Sequence, residues 1–261
     1  MKKIFWALII VVVLLLCCLI TYKYLDNDDK KINNEKNDTT ITKETKKEKE
    51  EDIMDGITLN YHASIRMEKM GKIIYFDPYK IDSSLKDADY IFITHSHYDH
   101  FSINDIKKVM KENTKFIITS DLENKVKNLG VSNYNITIVK PYETYEVDNI
   151  KFDAIPSYNV NKTYHKKSYN WVGYNVYIDG YKYYIVGDSD ATEELKNVSC
   201  DAIFIPVGGT YTMTDSEALD VVNKMKPRYA IPIHYGETGS LDNAINFVNG
   251  LDDSIKGVIL K

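Results

Sequence analysis

The chain has 261 residues, 44% of them apolar and 27% charged, with a formal net charge of −5. That length suffices for one large domain or two small ones with a real core, and the acidic balance argues against a nucleic-acid partner. Of the three cysteines, Cys17 and Cys18 lie in an apolar N-terminal segment and Cys200 stands alone, so an internal disulfide framework and a cysteine-based zinc site are both excluded. Any metal site must use nitrogen and oxygen ligands.

Residues 4–20 are uncharged and almost wholly apolar, a run that extends through Thr21 and Tyr22. At helical rise this spans roughly 25–28 Å, the short end of a transmembrane helix. A secretory signal would have a shorter apolar region followed by small residues at a cleavage site, and "CCLITYKY" offers none. Residues 4–22 are therefore expected to be an uncleaved anchor behind a short cytoplasmic N-terminus, residues 1–3, which carries Lys2 and Lys3. The expected location is the cell membrane, single-pass, with the folded part outside the cytoplasm. Residues 23–54 have dense mixed charge and no means of burying a core, and read as a disordered linker. The folded domain is expected over 55–261.

Within it, "ITLNYHASIRME", "KMGK" and "IIYFDPY" predict a hairpin of two strands. "ADYIFIT" (88–94) is a short apolar run of buried-strand type. "SINDIKKVMKE" carries helical spacing at Ile103, Ile106, Val109 and Met110, with Ser102 and Asp105 placed like a capping box. A strand "KFIITS" and a helix "DLENKVKNLG" closed by Gly130 follow. Strands are predicted near 136–140, 144–155, 171–179, 182–187 and 201–207. Then come a helix with Thr214 and Glu217 as its capping box, a strand "YAIPIHYG", a helix "SLDNAINFVNG" and a last strand "KGVILK". Strands with helices between and after them, in one continuous block, indicate a layered α/β sandwich.

The sequence "ITHSHYDHFS" (93–102) directly follows a buried-strand run and places His95, His97, Asp99 and His100 within six positions. If residues 94–99 stay extended, His95, His97 and Asp99 project to one side, and the helix start near Ser102 turns His100 towards them. Imidazoles with a carboxylate suit zinc, and also manganese or iron.

These residues resemble the H-x-H-x-D-H motif of the metallo-β-lactamase superfamily, and the resemblance extends over about residues 56–261. It implies a four-layer αββα sandwich with a two-metal site at the edge between the sheets. "YIVGDSD" resembles the family's strand-ending Gly-Asp, which makes Asp188 the bridging carboxylate; "IPIHYG" resembles the final strand-ending His, which makes His234 a ligand. By this mapping His95 and His97 bind one metal while Asp99, His100 and His234 bind the other. "YFDPY" resembles the early Asp that buttresses the metal loop, a role for Asp77. "NYHASIRME" with that Asp-Pro resembles the lactonase and phospholipase-D-type branches, which makes His62, with Asp77, a residue that orients the metal-binding imidazoles or lines the substrate pocket. The third ligand of the first metal is left open by the sequence: His165 folding back, or Asn159 or water. The resemblance implies a hydrolase in which two divalent ions, zinc or else manganese or iron, activate a water, with Asp99 holding or shuttling its proton and Asp188 bridging the ions as the catalytic carboxylates.

"PVGGTYTMT" (206–214) leaves a buried strand and enters a helix, so Gly208, Gly209 and nearby backbone N–H groups could receive an anionic group, with Tyr211 lining the pocket; a plain tight turn is the other reading. The substrate is expected to be a small or lipid-like ester, lactone or phosphodiester, within reach of the membrane. Two rival readings are a tethered metal-binding module with a degenerate site and a dinuclear redox protein on the same fold.

Overall fold

Two residues, His62 and Ala63, break the first expected strand in two. The computed structural model describes residues 52–260, and there β1 (Ile57–Tyr61) and β2 (Ser64–Lys69) pair antiparallel with a register shift between Leu59 and Tyr61. His62 turns the chain in the left-handed region at φ 56°. A second tight turn at Met70 and Gly71, both at positive φ, leads into β3 (Lys72–Phe76). The expected two-strand hairpin is therefore a three-strand meander.

After β4 (Ala88–Phe92) come α1 (Ile103–Val109), β5 (Met110–Thr119), α2 (Glu123–Lys127) and β6 (Ile136–Val139). β1 to β6 form one sheet in chain order, antiparallel as far as β3 and parallel from β3 to β6. The second sheet begins with β7 (Thr144–Val147), β8 (Ile150–Pro156), β9 (Val172–Ile178) and β10 (Tyr181–Ile185), all antiparallel neighbours. It continues through β11 (Ala202–Pro206), β12 (Tyr229–Ile233) and β13 (Lys256–Gly257) in parallel. Its helices are α3 (Glu193–Lys196), α4 (Asp215–Met225) and α5 (Leu241–Asn249).

Three apolar clusters define the layers. One holds Ile65, Phe76 and Phe92 from the first sheet against Phe152, Tyr174 and Phe204 from the second. A second packs Ile203 and Ile205 against Val221, Val222 and Phe247 of α4 and α5; a third packs Ile91 and Ile118 against Ile106 and Val126 of α1 and α2. The sandwich is thus αββα, as the resemblance implied. Phe92 ties the middle together, its ring 5.1 Å from both Phe152 and Tyr174 in near-perpendicular contact. Burying each such ring stabilises by about 1.5–3 kcal/mol.

Local departures have local causes. Asp148, at φ 51°, turns the expected 144–155 strand into the β7–β8 hairpin. α3 is too short to show a period, and the last strand pairs only at Lys256 and Gly257. The capping box of α4 is formed by both of its bonds, whereas Ser102 caps α1 and Asp105 instead accepts from the backbone N–H groups of Lys80 and Ile81.

The expected transmembrane anchor needs correction. Among the described residues no helix is long and apolar enough to cross a membrane. Residues 4–22, and the linker to residue 51, lie outside them, so neither a spanning element nor a cell-membrane location is assigned. The compact unit spans Ile53–Lys261, slightly ahead of the expected boundary, because Ile53 and Met54 are buried in the core and Tyr183 donates to the Ile53 carbonyl at 2.9 Å.

Candidate metal centre

All six histidines of the chain meet at one rim of the sandwich, with three aspartates. The rim is built from strand ends. Asp77 follows β3, the His95–His100 segment follows β4, Asp188 follows β10 and His234 follows β12. Each is the carboxyl end of a strand with a parallel neighbour, where helices and loops leave an open crevice. His62, Asp77 and His234 take left-handed backbone at φ 56°, 47° and 60°, and Gly187, before Asp188, lies at φ 69°. For a non-glycine residue this conformation costs about 1–3 kcal/mol and persists only where the surroundings impose it. The His234 N–H donates to the His62 carbonyl at 2.8 Å, which locks the two turns together across the sheets.

The 94–100 segment is not extended throughout. The His97 carbonyl accepts from the N–H groups of His100 (3.2 Å) and Phe101 (2.8 Å), so the chain coils after His97. That turn divides the motif. His95 Nε2 lies 3.2 Å from His97 Nδ1, while Asp99 Oδ2 and His100 Nε2 lie 3.6 Å apart on the other side.

Of the two side chains left open for the first metal, His165 is the one that faces the centre. It folds back so that its Nε2 is 3.2 Å from both His97 Nδ1 and Asp188 Oδ2. Asn159 stands behind it, with Oδ1 3.1 Å from His165 Nδ1 and accepting from the His165 N–H. Its side-chain amide donates to Asp190 and to the Tyr211 carbonyl. Asp188 sits in the middle: Oδ1 is 3.2 Å from His100 Nε2, and Oδ2 is 3.0 Å from His234 Nε2. Three overlapping groups result, in each of which the potential ligand atoms lie within 4.8 Å of one another. They are His95, His97, His165 and Asp188; His100, Asp188 and His234; and His62, Asp99 and His234. The rings of His100 and His234 stack with centroids 5.5 Å apart, so they serve one volume.

The arrangement suits cations. His100 Nε2, His234 Nε2, His62 Nε2 and Asp188 Oδ1 are buried and have no hydrogen-bond partner. The nearest oxygens to His100 Nε2 and His234 Nε2 are those of Asp188 and Asp99, 3.0–3.7 Å away. Buried polar atoms without partners are costly, and lone pairs aimed at a common point are what a divalent ion needs. The opposite ring nitrogens are engaged by protein. His100 Nδ1 donates to Asp77 Oδ2 at 2.8 Å, and His95 Nδ1 lies 2.9 Å from Thr94 Oγ1, which itself donates to Asp77. Such partners fix which nitrogen carries the proton and leave Nε2 as the free donor of electrons.

The charges support this. Burial pushes the His95 and His97 imidazoles below their ordinary value, so they stay neutral. Burial also opposes a charged His100 and His234, but the Asp188 carboxylate beside them, joined at His100 by Asp77, outweighs it and raises both. Asp188 is likewise penalised by burial and yet held well below the carboxylate range by His234 and His100. Asp99 is held low too, burial being outweighed by His234 and His62. Without cations, protons do the neutralising.

Several supporting residues were not anticipated. Thr94 links Asp77 to His95, and Trp171 packs 4.8 Å from the rings of both His95 and His97. Asp190 gathers Asn159, the Val160 N–H and Lys162. Only the second Asp of "GDSD" hinted at it. Of the two readings left open for Gly208 and Gly209, the tight turn is the one the local hydrogen bonds favour. The N–H groups of Gly209 and Thr210 are engaged by the carbonyls of Met213 and Gly208, and a Cβ at Gly208 would stand 2.2 Å from the His234 carbonyl. Gly208 is a packing partner of His234. Tyr211 contributes its carbonyl to Asn159, and its ring meets Tyr164 edge-on at 4.6 Å.

Residues 56–234 match the family described as the beta-lactamase superfamily domain. The chain belongs to the metallo-β-lactamase superfamily. Among curated relatives, a UPF0173 metal-dependent hydrolase of Thermococcus onnurineus is 31% identical over 157 residues, 57% of this chain and 67% of the relative. One from Pyrococcus abyssi is 28% identical over 217 residues, 77% of this chain and 93% of the relative. A solved structure from Parabacteroides distasonis aligns with TM-score 0.65 at 30% identity, over 78% of this chain and 91% of that one. This member of the superfamily is a metal-dependent hydrolase.

Proposed function

We propose that the centre holds two divalent cations, zinc in the first instance, and hydrolyses an ester, lactone or phosphodiester bond in a small or lipid-like substrate. His95, His97, His165 and Asp188 would hold one cation; Asp99, His100, His234 and Asp188 the other. The observation that carries this reading is the set of buried, unpartnered nitrogen and oxygen atoms around Asp188. When bound, such a pair of ions supplies Lewis acidity and brings the pKa of a water between them towards neutrality.

The remaining work falls to the chain's own side chains. Asp99 is the most open of the three carboxylates, its side chain 13% exposed against 3% for Asp188 and 1% for Asp77. It can therefore accept a hydrogen bond from the attacking water and orient it. Asp77, Thr94 and Asn159 keep the imidazoles of His100, His95 and His165 turned inward. Trp171 closes one wall and limits bulk water. The substrate class rests on the resemblance of "NYHASIRME" and the following Asp-Pro to the lactonase and phospholipase-D-type branches.

The test is metal content of the purified full chain together with turnover of bis-p-nitrophenyl phosphate, a p-nitrophenyl ester and a γ-lactone. About two zinc ions per chain are expected, with turnover of one of these substrates lost on chelation and restored by zinc. A chain that takes up no zinc, or hydrolysis indifferent to chelator, would overturn the reading.

A further inference from the structure

His62 belongs by proximity to a possible ligand group with Asp99 and His234, and its ring lies only 3.8 Å from that of His234. One hydrogen bond distinguishes it from the other imidazoles. The backbone N–H of Gly236 donates to His62 Nδ1 at 3.2 Å. A nitrogen that accepts carries no proton, so the proton of the ring must sit on Nε2, and a protonated nitrogen has no lone pair for a metal. At His95, His100 and His165 the pattern is the reverse: Nδ1 faces an oxygen of Thr94, Asp77 or Asn159, and Nε2 faces the centre. Gly236 can make this approach because it has no side chain; a Cβ there would stand 3.0 Å from the Tyr61 ring.

The His62 Nε2–H is buried and without a partner, and its side chain is fully inaccessible, so a substrate atom does not reach it. The acceptor in front of it is Asp99 Oδ2 at 3.5 Å, the same oxygen that lies 3.6 Å from His100 Nε2 and 3.7 Å from His234 Nε2. We infer that His62 is a positioning residue and not a ligand, its Nε2–H holding the Asp99 carboxylate in place for the second cation. This rests on the two-cation reading above and assigns the second site to Asp99, His100, His234 and Asp188 alone.

The experiment uses the full chain loaded with zinc. Nitrogen-15 NMR of the histidine side chains in the wild type should show His62 with an unprotonated Nδ1 and a protonated Nε2, opposite to His100. His62→Gln, which can retain an N–H near that position, and His62→Phe, which cannot, should both keep the wild-type zinc stoichiometry. In His62→Phe the weaker zinc-binding step should lose about ten- to a hundred-fold in affinity, as for other partners of metal ligands, and His62→Gln should recover most of it. Loss of one zinc ion per chain in both variants, or an unprotonated Nε2 on His62 in the loaded wild type, would overturn the inference. So would unchanged zinc affinity in His62→Phe. A wild type that takes up no zinc removes the two-cation reading instead, while the His62 proton pattern is still legible in the same spectra.

Discussion

The two halves of the centre are held by different means. On the side of Asp99, His100 and His234, the side chains hang from strand ends and a tight turn, and backbone bonds such as His234 N–H to His62 carbonyl fix them. On the side of His95, His97 and His165, one of the three comes from the 157–171 loop, whose regular structure is a single 3-10 turn at Lys167–Tyr169. There the positioning is done by side chains: Asn159 behind His165, and Asp190 and Lys162 behind Asn159. One half is set by strand ends alone and costs backbone strain; the other adds a polar strap for His165 and costs loop order. The strapped half should be the easier one to loosen.

The largest effect is expected where the halves join. Asp188→Ala removes the carboxylate common to both, so zinc content should fall below about one ion per chain and turnover to background; retention of both ions would show that the halves are independent. Next come the paired deletions His165→Ala and His234→Ala, each expected to remove one ion and leave the other, read by metal titration. The strap separates them further. Asn159→Ala and Asp190→Ala should weaken one zinc-binding step by about 10–100-fold and leave the other near wild type. Equal weakening of both steps would refute the asymmetry. On the strand-end side, Gly208→Ala forces a methyl group against the His234 carbonyl and should destabilise the fold by about 1–3 kcal/mol, seen as a lower melting temperature.

The smallest effect is one of pH. In the cation-free chain His100 and His234 hold protons more tightly than ordinary imidazoles, so zinc must displace them. Zinc affinity should therefore rise with pH until those raised values are passed, and fall as the medium is acidified. Calorimetry in buffers of different ionisation heat should register proton release on binding. Proton uptake, or affinity that increases towards acid, would contradict the charge balance described here.

The same contrast explains what could be read from the sequence. His95, His97, Asp99 and His100 are legible because they are neighbours in the chain behind an apolar run, and Asp188 and His234 because each ends one. His165 could be named only as one candidate beside Asn159, because no strand delivers it: its place depends on Asn159 and, behind that, on Asp190 and the Tyr211 carbonyl, which are remote in sequence. Left-handed turns at His62 and Asp148 split strands that hydrophobic pattern alone joins; His and Asp favour positive φ more than most residues but adopt it only occasionally, so the signal is weak. The Gly-Gly pair at 208–209 resembled an anion site because a glycine needed for close packing looks the same as one needed for a ligand. The layers themselves were evident from alternating strands and capped helices.

Zinc K-edge absorption spectroscopy on the stoichiometrically loaded full chain bears on the central claim most directly. Two ions per chain are expected, with five imidazole ligands shared between them as three and two and a metal–metal distance of roughly 3.5–4 Å. A single ion per chain, or two ions too far apart to share Asp188, would contradict it.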